Sequence, residues 1–227
     1  MHSLSKQNIE LAKITLNGDQ LPWVDSAKHV GNVLERNNSF SKDLAMKRGD
    51  CIGRLHSILQ EFHFANPLVK MQLFRIYTTS FYGSSLWDLF SGPCNKLYTS
   101  WNIAVRMAFD IPRESHRYFI EELSDCPHPQ TMLAQRFQKF HETLGKTKKI
   151  SVKYLSELSA GNKATVYGKN LCKSKSNLKY APVPENDEWK VEAVKELLEI
   201  RWNVKEIENM PINTQELDDL LTELCTS

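Results

Sequence analysis

The hydrophobic period of this chain changes at Ser41, and that change limits the folds open to it. Before Ser41, apolar residues come in short runs: Leu11 to Leu16, then Leu21, Trp23 and Val24, then Lys28 to Leu34. Asn17-Gly18 between the first two is a favoured two-residue hairpin turn. The polar run Glu35 to Ser39 ends the third. After Ser41, Leu44, Ile52, Leu55, Leu59 and Phe62 recur at three-to-four spacing, the pattern of an amphipathic helix. A two- or three-stranded piece is not stable alone, so the β-element needs a surface to pack on. The expected fold is mainly α, a helical bundle preceded by this small β-element.

Punctuation along the chain divides the helical part. Asn66-Pro67 ends the first helix or starts the next. The second helix is predicted from about Pro67 to Phe90, with Leu73, Phe74, Tyr77 and Phe81 on one face and Ser80, Gly83, Ser84 and Trp87 on another. Glycine inside a helix costs about 1 kcal/mol relative to alanine, so Gly83 needs a packing reason, such as a second backbone passing close beside Trp87. Ser91-Gly92-Pro93 reads as a stop. A third helix over about 94–109 carries Leu97, Trp101, Val105 and Phe109. A short helix follows Ser115, which is placed to cap it. After the break at Cys126-Pro127-His128-Pro129, helical spacing resumes over 130–145. Trp87 and Trp101, aromatics at helical spacing, are expected in the core. Beyond Gly145 the pattern weakens: Val152, Leu155 and Leu158 give one short helix, residues 166–178 are rich in Lys and Asn, and Ala181 to Glu185 reads as a linker. Two amphipathic helices separated by Pro211 complete the chain. Four segments result: 1–38, 39–145, 146–180 and 181–227.

The chain has 227 residues, enough for one sizeable core. A charged fraction of 25% and a hydrophobic fraction of 41% are ordinary for a soluble globular protein. No apolar run approaches the roughly 20 residues of a membrane helix, and Met1 to Glu10 has no apolar signal core. These features predict a soluble, intracellular chain with no membrane partner. The five cysteines are widely spaced and odd in number, which argues against a disulfide framework. Cys126, His128 and His141 are the nearest approach to a metal cluster and lack a second close ligand pair.

The net charge of +2 conceals a strong asymmetry. Residues 136–179 carry 11 basic and 2 acidic side chains; residues 180–227 carry 4 basic and 12 acidic. A basic block beside an acidic tail is a nucleic-acid footprint with a neighbour able to compete for it.

An ordered set of motifs narrows the reading further. Lys28-His29-Val30-Gly31-Asn32-Val33-Leu34 is followed by Ser39-Phe40-Ser41-Lys42-Asp43, then Tyr82-Gly83-Ser84-Ser85-Leu86-Trp87, then Leu97 with Trp101-Asn102, then Arg106, Pro112, His116 and Arg117. Over roughly residues 10–145 this order resembles the region just after the catalytic palm in reverse transcriptases of non-LTR, LINE-type (jockey-like) retrotransposons. His29 and Val30 depart from the aromatic and leucine commoner in that family. The resemblance implies that residues 28–34 are the strand that helps seat the primer end. It also implies that residues 39 to about 90 contain the helical thumb and 91–145 the helical region beyond it.

Polymerisation needs carboxylates converging on paired divalent metals, and in that family these lie upstream of the segment present here. Magnesium is therefore expected only in a full-length parent enzyme, and no cofactor is expected of this chain. The one Asp-Asp pair, Asp218-Asp219, falls among leucines at helical spacing, where no tight β-turn can present it. The expected function is that of a reverse-transcriptase fragment without polymerase activity of its own, binding RNA or DNA without sequence preference. Thumb helices grip template–primer through phosphates, which selects Lys42, Lys47, Arg48, Arg54 and Lys70. Arg106, Arg113 and Arg117 form a second group. Lys146, Lys148, Lys149 and Lys153 are the densest basic cluster, in an aromatic-poor segment expected to bind by charge alone. The alternative is a host-adopted interaction module, whose acidic tail docks on a protein partner or folds back onto the basic block.

Overall fold

The structure is a computed structural model, and it describes residues 14–37, 39–176, 187–206 and 214–226. It is mainly helical, with a small β-element at the N-terminal side. Two antiparallel hairpins make that element: β1 (Thr15–Leu16) with β2 (Asp19–Gln20), and β3 (Ser26–His29) with β4 (Asn32–Glu35). Asn17 and Gly18 both take positive φ, as the expected turn requires. The run Lys28 to Leu34 is not one strand. It folds back at Val30-Gly31, both at positive φ, so that His29 pairs with Asn32. The Leu21–Val24 stretch lies outside both sheets.

Nine α-helices follow among the described residues: α1 (Ser41–Glu61), α2 (Pro67–Thr78), α3 (Gly92–Phe109), α4 (Arg117–Ser124), α5 (Pro129–Gly145), α6 (Ile150–Gly161), α7 (Val166–Ser176), α8 (Glu188–Glu206) and α9 (Thr214–Thr226). Helix α1 starts at Ser41 as predicted, but its orphan amides are met by a strand residue. The Glu35 carboxylate accepts from the Lys42 amide at 3.0 Å and from the hydroxyls of Ser39 and Ser41. The Lys42 amide, foremost among these donors, holds the Glu35 carboxyl below its ordinary value. Ser91-Gly92-Pro93 starts a helix where a stop was expected: Ser91 is the N-cap of α3 and Pro93 occupies its first turn.

The predicted helix from Pro67 to Phe90 ends early, at Thr78. The chain then turns through Phe81 and Gly83, both at positive φ, into a single 3-10 turn over Ser84–Leu86. Gly83 does have a packing reason, though not inside a helix. A Cβ there would lie 2.6 Å from Asn32 Cγ, so only glycine lets the loop close against β4. Ser115 does not cap α4 either. His116 is the N-cap, and the Ser115 hydroxyl donates back to the Pro112 carbonyl at 2.6 Å.

Two apolar clusters hold the helices. The larger joins α1, α2, α3 and α4 around Leu55, Phe74, Trp101 and Phe119, and it also takes Val191 and Val194 from α8 and Leu221 and Cys225 from α9. The smaller surrounds Trp87 with Leu44, Leu97 and Phe137, and includes Leu171 of α7. The tail helices are thus part of the main core, not a cover over the basic block. Arg201 of α8 ties them down further, pairing with Asp110 at 2.7 Å and with Asp218 at 3.2 Å. The predicted linker over residues 181–185 and Pro211 lie outside the described residues.

Candidate nucleic-acid interface

Most basic side chains of the helical core are engaged in holding it together. On α1, Arg48 Nε donates to Ser100 Oγ of α3 at 2.8 Å, and Arg54 donates to the Tyr77 carbonyl near the end of α2. A cation there also meets the negative end of the α2 dipole. Lys47 shares a small cleft with Arg54, Asp50 and Tyr77. Lys42 reaches Ser26 of β3 through its ammonium at 3.3 Å. Lys70 donates to the His63 carbonyl at 3.0 Å and lies 5.9 Å from the centre of the Trp202 ring. The hydrogen bonds of Lys42, Arg48, Arg54 and Lys70 join neighbouring parts of the fold and take up donors that a phosphate would need.

The second group gathers at the α3–α4 junction. Arg106 is half-buried, donates to the Ser115 carbonyl, and has its guanidinium pKa lowered by desolvation. Its Nε is buried without a partner among the described residues. Arg117 pairs with Glu121 at 3.3 Å, and Arg113 is exposed. Behind them His128 is buried. Its Nδ1 accepts from the Gln130 amide at 3.3 Å, so Nε2 carries the proton and donates to Asn102 Oδ1 at 3.1 Å. Desolvation, aided by the nearby Arg117 charge, pushes its pKa down to about 3. Cys126 donates instead to the Pro127 carbonyl, and His141 pairs with the Tyr167 hydroxyl; Cys126, His128 and His141 do not converge.

The third group differs. Lys146, Lys148, Lys149 and Lys153 surround the turn from α5 into α6; all four are exposed and none has an ion-pair partner among the described residues. Helix α6 packs through Ser156, which is buried, and Val152, Ser159 and Ala160, which are partly so, while Leu155 and Leu158 of its predicted apolar pattern are exposed. Tyr154 stands outward with them.

Several residues that organise the site region were not singled out by the sequence. Asp43 is fully buried and bridges three elements: Oδ1 accepts from the Val33 amide at 3.0 Å and Oδ2 from the Trp87 indole at 2.9 Å. Asn170 of α7 is equally buried, donating to the Trp87 carbonyl at 2.7 Å and accepting from the Leu89 amide at 3.1 Å. Beside it Lys169 pairs with Asp88. A basic helix with little apolar pattern therefore clamps the Trp87 loop, a role with no signature in spacing. Asp218 and Asp219 lie on α9, where Asp218 meets Arg201 and Asp219 accepts from Gln215. Among the described residues no helix is long and apolar enough to cross a membrane.

Comparisons of the chain with protein families, with curated proteins and with solved structures find no match.

Proposed function

We propose that this chain corresponds to the palm end, thumb and following helical region of a non-LTR-type reverse transcriptase, and that by itself it binds RNA or DNA through phosphates. The observation that carries the binding reading is the lysine run at the α5–α6 turn, exposed and without acidic partners among the described residues. The β-element supports the origin. Leu16, Leu21, Trp23, Val24 and Val30 all face solvent, as expected of a β-element that packs on a palm sheet. On this reading polymerisation belongs to the palm, which supplies the metal-binding carboxylates, and the hairpin tip at Val30-Gly31 is a point of contact with it.

The test is an affinity measurement on unlabelled-sequence RNA and DNA duplexes at 50 and 200 mM salt. Four phosphate contacts predict an affinity loss of about a hundredfold across that range. Replacing Lys146, Lys148, Lys149 and Lys153 by alanine should flatten the salt dependence and weaken binding to every sequence alike. Binding that ignores salt, or that survives the fourfold change, rules the reading out.

A further inference from the structure

Helix α6 shows solvent the wrong side for a packed amphipathic helix. Ile150 is 84% exposed, Tyr154 62%, and Leu158 55%. These residues are spaced by four, so they form one stripe, rising about 6 Å from each to the next. The opposite side, with Ser156 and Ala160, is seated against the molecule, where small side chains permit close approach. The helix therefore cannot roll its apolar stripe inward without losing that fit. At its N-terminal end the stripe is bounded by Lys146, Lys148 and Lys149, and along one flank by Lys153. Glu157 follows Lys153 on the same flank and closes the basic border there.

We infer that α6 is a stacking platform for single-stranded nucleic acid, in which Tyr154 takes the face of an unpaired base while Lys149 and Lys153 hold the flanking phosphates. The inference rests on the phosphate-binding reading above and adds a preference for unpaired strands. An aromatic ring among cations suits a nucleotide, whose base is apolar on its face and whose backbone is anionic. A duplex keeps its base faces stacked and offers the ring nothing, so it engages only the lysines. An anionic membrane is the rival surface. Ile150, Tyr154, Leu155 and Leu158 make a short apolar face on a 12-residue helix, and Glu157 on its border would be driven against lipid phosphates. An interfacial helix pairs its apolar face with a basic polar side, which Glu157 interrupts here.

The test uses the full chain with three probes: a single-stranded oligonucleotide of mixed sequence, its duplex, and vesicles rich in phosphatidylserine. Tyr154→Leu keeps the apolar volume and removes the ring. It is expected to weaken single-strand binding by about tenfold, with duplex affinity and the salt slope unchanged. Tyr154→Phe should retain single-strand binding. A 2-aminopurine in the strand should be quenched by the parent protein and by Tyr154→Phe, and not by Tyr154→Leu. If Tyr154→Leu leaves single-strand affinity intact while the lysine changes abolish it, the platform is wrong and phosphate binding stands. If neither probe of nucleic acid binds, both fall. Tighter binding to the vesicles than to the single strand, lost in Tyr154→Leu, overturns the platform in favour of a membrane surface.

Discussion

Asp43, Gly83 and His128 show how single positions decide this architecture. Asp43 is a carboxylate with no exposed surface, and both of its oxygens are occupied by donors from other elements. Removing it strands a buried indole N–H and a part-buried backbone N–H together. Asp43→Ala is expected to cost about 3 kcal/mol, read as a lowered urea midpoint with an unchanged slope. Gly83→Ala should destabilise by at least about 1 kcal/mol because φ is positive and the new methyl meets Asn32. Adding Asn32→Ala should recover the steric part and leave the backbone part, so the two changes are non-additive. At His128 the folded pKa lies far below its ordinary 6.5, because burial disfavours the imidazolium. The unfolded chain then binds a proton that the folded chain refuses. Stability should hold steady above about pH 7 and fall by up to about 1.4 kcal/mol per pH unit below 6.5. His128→Asn should remove that slope between pH 6.5 and 5; a flat wild-type profile in the window would contradict the assignment.

At the scale of elements, the tail is the informative case. An acidic, amphipathic pair of helices is equally consistent with docking on a partner, covering the basic block, or joining the core. Val191 and Val194 are buried beside Leu221 and Cys225, the Cys225 carbonyl accepts from the His116 amide at 3.1 Å, and Tyr118 donates to Asp187 at 3.3 Å. Helices α8 and α9 are therefore structural. Val194→Asp, which puts an unpaired carboxylate in that core, should cost about 3 kcal/mol or more. Calorimetry that showed an unchanged melting temperature would mean that the tail is dispensable to the core. Helix α6 teaches the converse. The sequence locates it through Val152, Leu155 and Leu158, of which only Val152 is partly covered while Leu155 and Leu158 face solvent. Periodicity locates a face; it does not say which side the remainder of the chain covers.

For the whole molecule, the balance between buried and exposed apolar surface is uneven. The helical part closes two cores around Trp101 and Trp87. The hairpins at the N-terminal side, with the stretch between them, leave Leu16, Trp23, Val24 and Val30 in solvent, and such exposed apolar surface invites association. Replacing Leu16, Trp23 and Val30 by lysine should raise the concentration at which the protein stays monomeric in light scattering. Thermal stability should move little, since each side chain is already exposed. If the change lowered stability by several kcal/mol, the strands would have to be packed within this chain, and the case for a missing palm surface would lose its support.

The mainly helical character, the change of period at Ser41, the Asn17-Gly18 turn and the core positions of Trp87 and Trp101 were all legible from residue order. Each depends on interactions between near neighbours in the chain or on a spacing that repeats. The early end of α2 at Thr78, the closure of Gly83 on Asn32, the Asp43 bridge, the Asn170 clamp and the inward fold of the acidic tail were settled only in three dimensions. At Gly83, Asp43 and Asn170 a polar or small residue answers a partner on another element dozens of positions away, and the tail buries apolar side chains against distant helices; local spacing carries no record of such partners.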